Sequence, residues 1–190
     1  MEAHERKLKF LANVDPTDIS RALNDIDFEE TMFVIVSKTF TTAETMLNAR
    51  TIKSKIVEFF NAKVEGADSE TALKAHLCAV STNLTATDTF GIARENVFGF
   101  WDWVGGRFSV SSAVGLLPLS LHYGFEVLDQ FLKGLASMDT CLTSSLDGAL
   151  TSNAVAMMGL IGFYNTHICG IESRAVLPYS QALLRFPAHI

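Results

Sequence analysis

Met32-Phe-Val-Ile-Val-Ser-Lys-Thr-Phe-Thr-Thr-Ala-Glu-Thr45 decides how this chain folds. Met32 to Val36 is an unbroken run of β-branched, aromatic and aliphatic residues, the pattern of a strand buried on both faces. From Thr42 to Phe60, Ala49, Ile52, Ile56, Phe59 and Phe60 recur at helical spacing, which predicts an amphipathic helix. A strand running straight into a long helix is the first half of a parallel crossover.

The same alternation continues to either side. Phe10 to Val14 reads as a strand closed by Asp15-Pro16, with Thr17 to Leu23 as a short helix. Leu77 to Val80 and Val97 to Trp101 read as further strands. Strands alternating with helices imply an α/β fold built on a doubly wound parallel sheet. Beyond Gly106 the pattern turns helical, over Ser109 to Leu117, Phe125 to Leu135 and Leu146 to His167. The last of these is apolar on most sides and is predicted to lie buried between layers or domains. Ala175 to Tyr179 reads as extended, and the domain boundary is expected between Gly170 and Tyr179.

With apolar residues at 48% and charged residues at 19%, the 190-residue chain can bury a real core, so wholesale disorder is excluded. Fifteen basic against 21 acidic residues leave a charge of −6, which argues against a nucleic-acid partner. Any anionic ligand must be held by a few local cations and backbone N–H groups. Cys78, Cys141 and Cys169 lack the short paired spacing of a disulfide framework or zinc ribbon; they read as buried small hydrophobes in a reducing compartment. The charged start at residues 1–9 lacks the apolar core of a signal peptide. The longest apolar stretch, Ala154 to Tyr164, falls far short of the ~20 residues a membrane span needs. A cytoplasmic protein with no membrane partner is the expectation. No histidine pairs with another at ligand spacing, so no metal site is expected; His122 and His167 read as structural.

Ligands of open α/β sheets sit beyond the carboxyl ends of the strands. The residues expected there are Asn13, Ser37-Lys-Thr39, Ser81-Thr-Asn83 and Asp102-Trp-Val-Gly-Gly-Arg107. Hydroxyls and N–H groups opening a helix form a phosphate cradle, because the helix dipole favours an anion there. Ser37 to Thr42 fits this, with Lys38 supplying local positive charge; Thr41 or Thr42 also fits ordinary N-capping. Gly105 and Gly106 permit positive φ and close backbone approach. Arg107 offers a planar fork for a phosphate or a developing oxyanion, and equally fits a surface arginine after a turn. Trp101 and Trp103 read as packing residues, with a stacking platform as the other reading.

In combination, these segments resemble the glucose-6-phosphate isomerase family. Asp102-Trp-Val-Gly-Gly-Arg-Phe-Ser-Val-Ser-Ser-Ala-Val-Gly115 is similar to one family signature, and Val36-Ser-Lys-Thr-Phe-Thr-Thr-Ala-Glu-Thr45 to its phosphate loop. Phe10-Leu-Ala-Asn-Val-Asp15, Ala79-Val-Ser-Thr-Asn83 and Leu177-Pro-Tyr-Ser-Gln-Ala-Leu183 resemble it in the same order. The resemblance implies a three-layer αβα sugar-isomerase (SIS) fold: residues 1–170 as most of a first SIS domain, and 171–190 as the linker and start of a second. It implies interconversion of glucose 6-phosphate and fructose 6-phosphate through a cis-enediol, in a homodimer, without metal or organic cofactor. Carried over by position, Ser37, Lys38, Thr39 and Thr42 bind phosphate, Gly106 and Arg107 bind substrate, and Arg107 stabilises the enediolate charge. Glu44 matches a position near the substrate. The family's Gly-Ile-Gly-Gly-Ser loop and its Gln-x-x-x-Glu-Ser-Asn-Gly-Lys segment, which carries the glutamate base, are not found in the chain. The expectation is therefore an incomplete enzyme that turns over no substrate alone. The rival reading is a non-catalytic sugar-phosphate-binding SIS module.

Overall fold

A computed structural model describes residues 6–63, 68–144 and 150–190. Three short strands organise the first of its two units, which runs to Gly124. They are β1 (Phe33–Val36), β2 (Leu77–Val80) and β3 (Val97–Phe98), all parallel and in the order β1-β2-β3. Phe33 faces Leu77 and Val36 faces Val80 across the first pair; Ala79 faces Val97 and Val80 faces Phe98 across the second. The fold is thus α/β with a small parallel sheet and a large helical share.

Helix α1 (Pro16–Leu23) precedes the sheet, and α2 (Ala43–Lys63) and α3 (Ser69–His76) carry the chain from β1 to β2. Helix α4 (Leu84–Phe90) and a short 3₁₀ turn lead on to β3. Of the apolar positions that predicted α2, it buries Ala49, Ile52 and Ile56, joined by Met46 on its inner face, whereas Phe59 and Phe60 are only partly buried. The buried residues pack with Ile35, Phe40, Leu73, Leu77, Ala79 and Ile92, while Ile19, Leu23, Phe28 and Phe60 close the margins. Alternation along the strands directs Phe33, Ile35, Leu77 and Ala79 towards this cluster.

Several expectations need correction. Phe10 to Val14 forms no strand. The Asn13 amide donates to the Asp18 carboxylate, and the Asn13 side chain accepts from the Asp15 amide. The Asp15 carboxylate in turn caps α1 through the Thr17 amide. These local side-chain bonds take the backbone out of competition for a ladder, and Phe10 stays exposed. Met32 to Val36 was expected to be buried on both faces, yet in β1 only Ile35 is buried because β1 lies at the sheet's edge. The central strand is β2, buried at all four positions. The fourth run is shorter than expected, stopping at Phe98. The helix expected at Ser109 begins as a 3₁₀ turn, Gly106–Ser111, and continues as α5 (Ala113–Tyr123).

In the second unit, α6 (Phe125–Ser144) runs well past Leu135, and α7 (Ala154–His167) packs against it. Residues 146–149 of the predicted Leu146 to His167 helix lie outside the described residues. None of the residues of α7 is buried within the unit, contrary to expectation, and Met158, Phe163 and Tyr164 are exposed. Ala175 to Tyr179 has no regular structure. Of the three cysteines, Cys78 is buried, Cys141 half-buried and Cys169 exposed, so only one fits the buried-hydrophobe reading. No described helix is long and apolar enough to cross a membrane.

Gly115 marks a tight approach: a Cβ there would collide with the Val110 carbonyl oxygen, whereas one at Gly134 in α6 would meet open space. Gly115→Ala should therefore cost about 1–3 kcal/mol in urea unfolding. Gly134→Ala should be neutral or stabilising by up to about 1 kcal/mol, since alanine is the better helix former.

Burial pushes the Cys78 thiol from near 9 up to about 11, because a thiolate in β2 would lose its water. This contribution to stability is fully present below the unfolded thiol's pKa. As pH rises from about 9 towards 11 the unfolded chain ionises first, so stability falls. Unfolding of the parent and of Cys78→Ala, compared across that window, should show the smaller decline in the variant; parallel profiles would contradict the assignment.

Candidate functional site

The three strand exits meet at Lys38. The parallel ladder continues past β1 as the Ser37 amide donates to the Val80 carbonyl, and past β2 as the Ser81 amide donates to Phe98, at 3.1 and 2.9 Å. One residue further on, the Lys38 carbonyl accepts three donors. They are the Thr82 amide at 3.0 Å, the Thr82 hydroxyl at 2.8 Å and the Ser81 hydroxyl at 3.1 Å. The Asn83 side-chain amide donates to the Thr39 carbonyl at 2.9 Å while its oxygen caps α4 through the Ala86 amide. Small polar residues after β2 thus serve to clamp the loop after β1. Ser37 and Ser81 are buried and have these partners, and no described buried side-chain nitrogen or oxygen lacks one.

Between the clamp and α2, the chain turns sharply. Phe40 adopts φ +57°, in the left-handed region, which is costly for a side chain with a Cβ. Burial of its ring offsets that cost: the ring sits among the core residues, 5.5 Å edge-on from Phe90. The turn leaves the hydroxyls of Thr39 and Thr41 2.6 Å apart and the Ser37 hydroxyl donating to that of Thr42 at 3.3 Å. The bonds of α2 begin at the Met46 amide, which donates to the Thr42 carbonyl. The amides of Ala43, Glu44 and Thr45 therefore have no acceptor among the described residues. The Ser37–Thr42 hydroxyl pair and three amides without an acceptor among the described residues lie at the positive end of a 21-residue helix, a place where an anion is favoured.

The Lys38 ammonium is engaged by the loop after β3. It donates to the carbonyls of Asp102 at 3.0 Å and Val104 at 2.5 Å, and lies 5.5 Å from the Phe100 ring centre. Gly105, next in the chain, is extended, and Gly106 has φ +52°, so only the second glycine needs its freedom. Arg107 is exposed at the start of the 3₁₀ turn and makes no hydrogen bond or ion pair among the described residues. Trp101 and Trp103 are not packing residues: they are 67% and 80% exposed and stack on each other at 5.6 Å. Asn13 is not at a strand end; its carbonyl accepts from Asn48 of α2. Glu44 lies exposed in the first turn of α2, where the dipole favours an acid. His122 is structural, its Nδ1 2.7 Å from the Arg6 carbonyl.

Two features were not read from the sequence. One is the anchoring of the Trp101–Val104 turn by Lys38, for which a strand-end lysine facing a distant loop gives no periodic signal. The other is a groove of about 590 Å³ between α2 and α4, lined in part by Phe40, Met46, Arg50, Lys53 and Asn83. Phe40 supports both the groove and the loop. Phe40→Ala should cost about 3–5 kcal/mol in urea unfolding, and Phe40→Gly should cost about 1 kcal/mol less than Phe40→Ala, since it loses the same ring but relaxes φ.

The phosphoglucose isomerase family model matches residues 1–190. The chain is 52% identical over 188 residues to the cytosolic glucose-6-phosphate isomerase A of Oryza sativa subsp. japonica, covering 99% of this chain and 31% of that protein. To the glucose-6-phosphate isomerase of Plasmodium falciparum it is 50% identical over 183 residues, covering 96% and 29%. The crystal structure of a glucose-6-phosphate isomerase from Chlamydia trachomatis matches with a TM-score of 0.76 at 31% identity, over 95% of this chain and 32% of that one. The chain spans about a third of the length of the curated relatives it matches.

Proposed function

The chain belongs to the phosphoglucose isomerase family, and from that premise we propose that it carries part of the site of an aldose–ketose isomerase acting on glucose 6-phosphate and fructose 6-phosphate. The observation that carries this reading is the cluster of hydroxyls and free amides at the start of α2, tied by Lys38 to the loop that leads into Arg107. Relatives about half identical to it are named for that activity, several of them as cytosolic enzymes. A cytoplasmic homodimer of three-layer SIS domains, with residues 1–170 in the first and 171–190 leading into the second, completes the proposal.

In this reading the phosphate dianion sits on the amides of Ala43 to Thr45 and the hydroxyls of Ser37, Thr39 and Thr42. Such a site works in an acidic protein because the donors are local and preorganised and need no favourable overall field. Gly106 lets the backbone approach the sugar. The Arg107 guanidinium, without an intramolecular partner among the described residues, stabilises the oxygen charge that develops when a C2 proton leaves and the C1 carbonyl becomes an enediolate. The reaction moves a proton within one molecule and requires no redox partner.

Inorganic phosphate and 6-phosphogluconate separate the two halves of the site in calorimetric titrations. Thr42→Ala should weaken both ligands about tenfold, the loss of one hydrogen bond to a charged group, and Thr42→Ser should bind like the parent. Arg107→Gln should weaken 6-phosphogluconate alone. Unchanged binding in both Thr42→Ala and Arg107→Gln would contradict the assignment. The rival reading, a sugar-phosphate-binding module without turnover, rests on the same cradle, since hydroxyls and amides bind an anion without supplying a general base. Assay of fructose 6-phosphate formation separates the two.

A further inference from the structure

We infer that the Lys38 side chain is a positioning residue: it holds the turn that leads into Gly106 and Arg107 against the anion cradle and does not itself neutralise the bound phosphate. The inference deepens the sugar-phosphate reading and rests on it for the roles of Gly106 and Arg107.

The Lys38 backbone is fixed first. Three donors from Ser81 and Thr82 converge on its carbonyl, so the residue cannot swing as a unit. Its ammonium has three N–H groups. Two are spent on the Asp102 and Val104 carbonyls, and the Phe100 ring lies against the same cation. Any movement of the ammonium off these carbonyls to follow a phosphate would cost both charge-assisted bonds and the ring contact.

The captured segment is one that would otherwise lack an anchor. Residues 101–104 form a turn closed by the Val104 amide donating to the Trp101 carbonyl at 3.0 Å. Its side chains are mostly in solvent, with Trp101 and Trp103 stacked on each other and exposed. Two glycines follow, then Arg107. A turn without buried side chains, followed by two glycines, does not fix where an arginine begins. The Lys38 hydrogen bonds span 64 and 66 residues of sequence and supply that fixed point. A lysine suits the task because its compact ammonium donates to two carbonyls at an angle, which a planar guanidinium does not match.

The stacked pair gives a direct reporter, since two indoles 5.6 Å apart with skewed transition dipoles produce an exciton couplet in circular dichroism. In the full 190-residue chain, Lys38→Met keeps side-chain length and removes the donors. It should abolish the couplet, weaken 6-phosphogluconate about tenfold, and change inorganic phosphate affinity less than threefold. In Lys38→Ala, added propylammonium should restore the couplet. If Lys38→Met fails to fold, the parent still decides: the Nζ resonance of Lys38 should stay unmoved as inorganic phosphate saturates the cradle. A couplet intact in Lys38→Met, equal weakening of both ligands, or an Nζ shift on phosphate addition would overturn the inference. Failure of the parent to bind either ligand would instead overturn the sugar-phosphate reading, and the couplet would still decide what Lys38 does.

Discussion

The Lys38 carbonyl, with three donors from Ser81 and Thr82 converging on it, is the contact on which the rest of the site depends. A parallel sheet sends every strand out at the same edge, and each exit must satisfy backbone groups that the ladder no longer pairs. Here the exit of β2 satisfies the exit of β1, and the Lys38 ammonium extends the tie to the loop after β3. Three strands that share few residues of ladder are thereby joined through one residue. The buried positions of β2 hold this edge from beneath, with Leu77, Ala79 and Val80 wholly inaccessible.

An acidic chain that binds an anion must concentrate its donors. The start of α2 does so with amides that the helix itself cannot pair, and the left-handed turn at Phe40 lies between the two members of the Ser37–Thr42 and Thr39–Thr41 hydroxyl pairs. The aromatic ring buried under that turn offsets its strain, so the cradle is coupled to the core through a single side chain. Arg107, by contrast, has no intramolecular partner among the described residues and sits after two glycines. The two halves of the proposed site differ in kind: one is fixed by the fold, and the other is presented by a loop that the fold anchors.

Much of this was legible in the sequence, for reasons that differ by element. Leu77 to Val80 and the helix begun near Thr42 were readable because burial imposes continuous or periodic apolar patterns, and both occur where expected. Phe10 to Val14 misled because its apolar residues sit beside Asn13 and Asp15, whose side chains capture the local backbone. The burial of β1 was overestimated because a run of apolar residues carries no information about its place in the sheet order. Ser37, Lys38, Thr39, Thr42, Gly106 and Arg107 are candidates by position after strands and by resemblance. The division of labour within Lys38, with carbonyl to β2 and ammonium to the loop after β3, depends on contacts across more than forty residues and left no local trace.

The central claim is that an anion binds where α2 begins and that its sugar reaches the Gly106–Arg107 turn. Amide chemical-shift mapping of the full chain during titration with 6-phosphogluconate tests it most directly. The account predicts saturable shifts at Lys38 to Thr45 and at Gly106 and Arg107, with inorganic phosphate moving only the first group. Saturable shifts confined to the groove between α2 and α4, or no shifts at either segment, would contradict it.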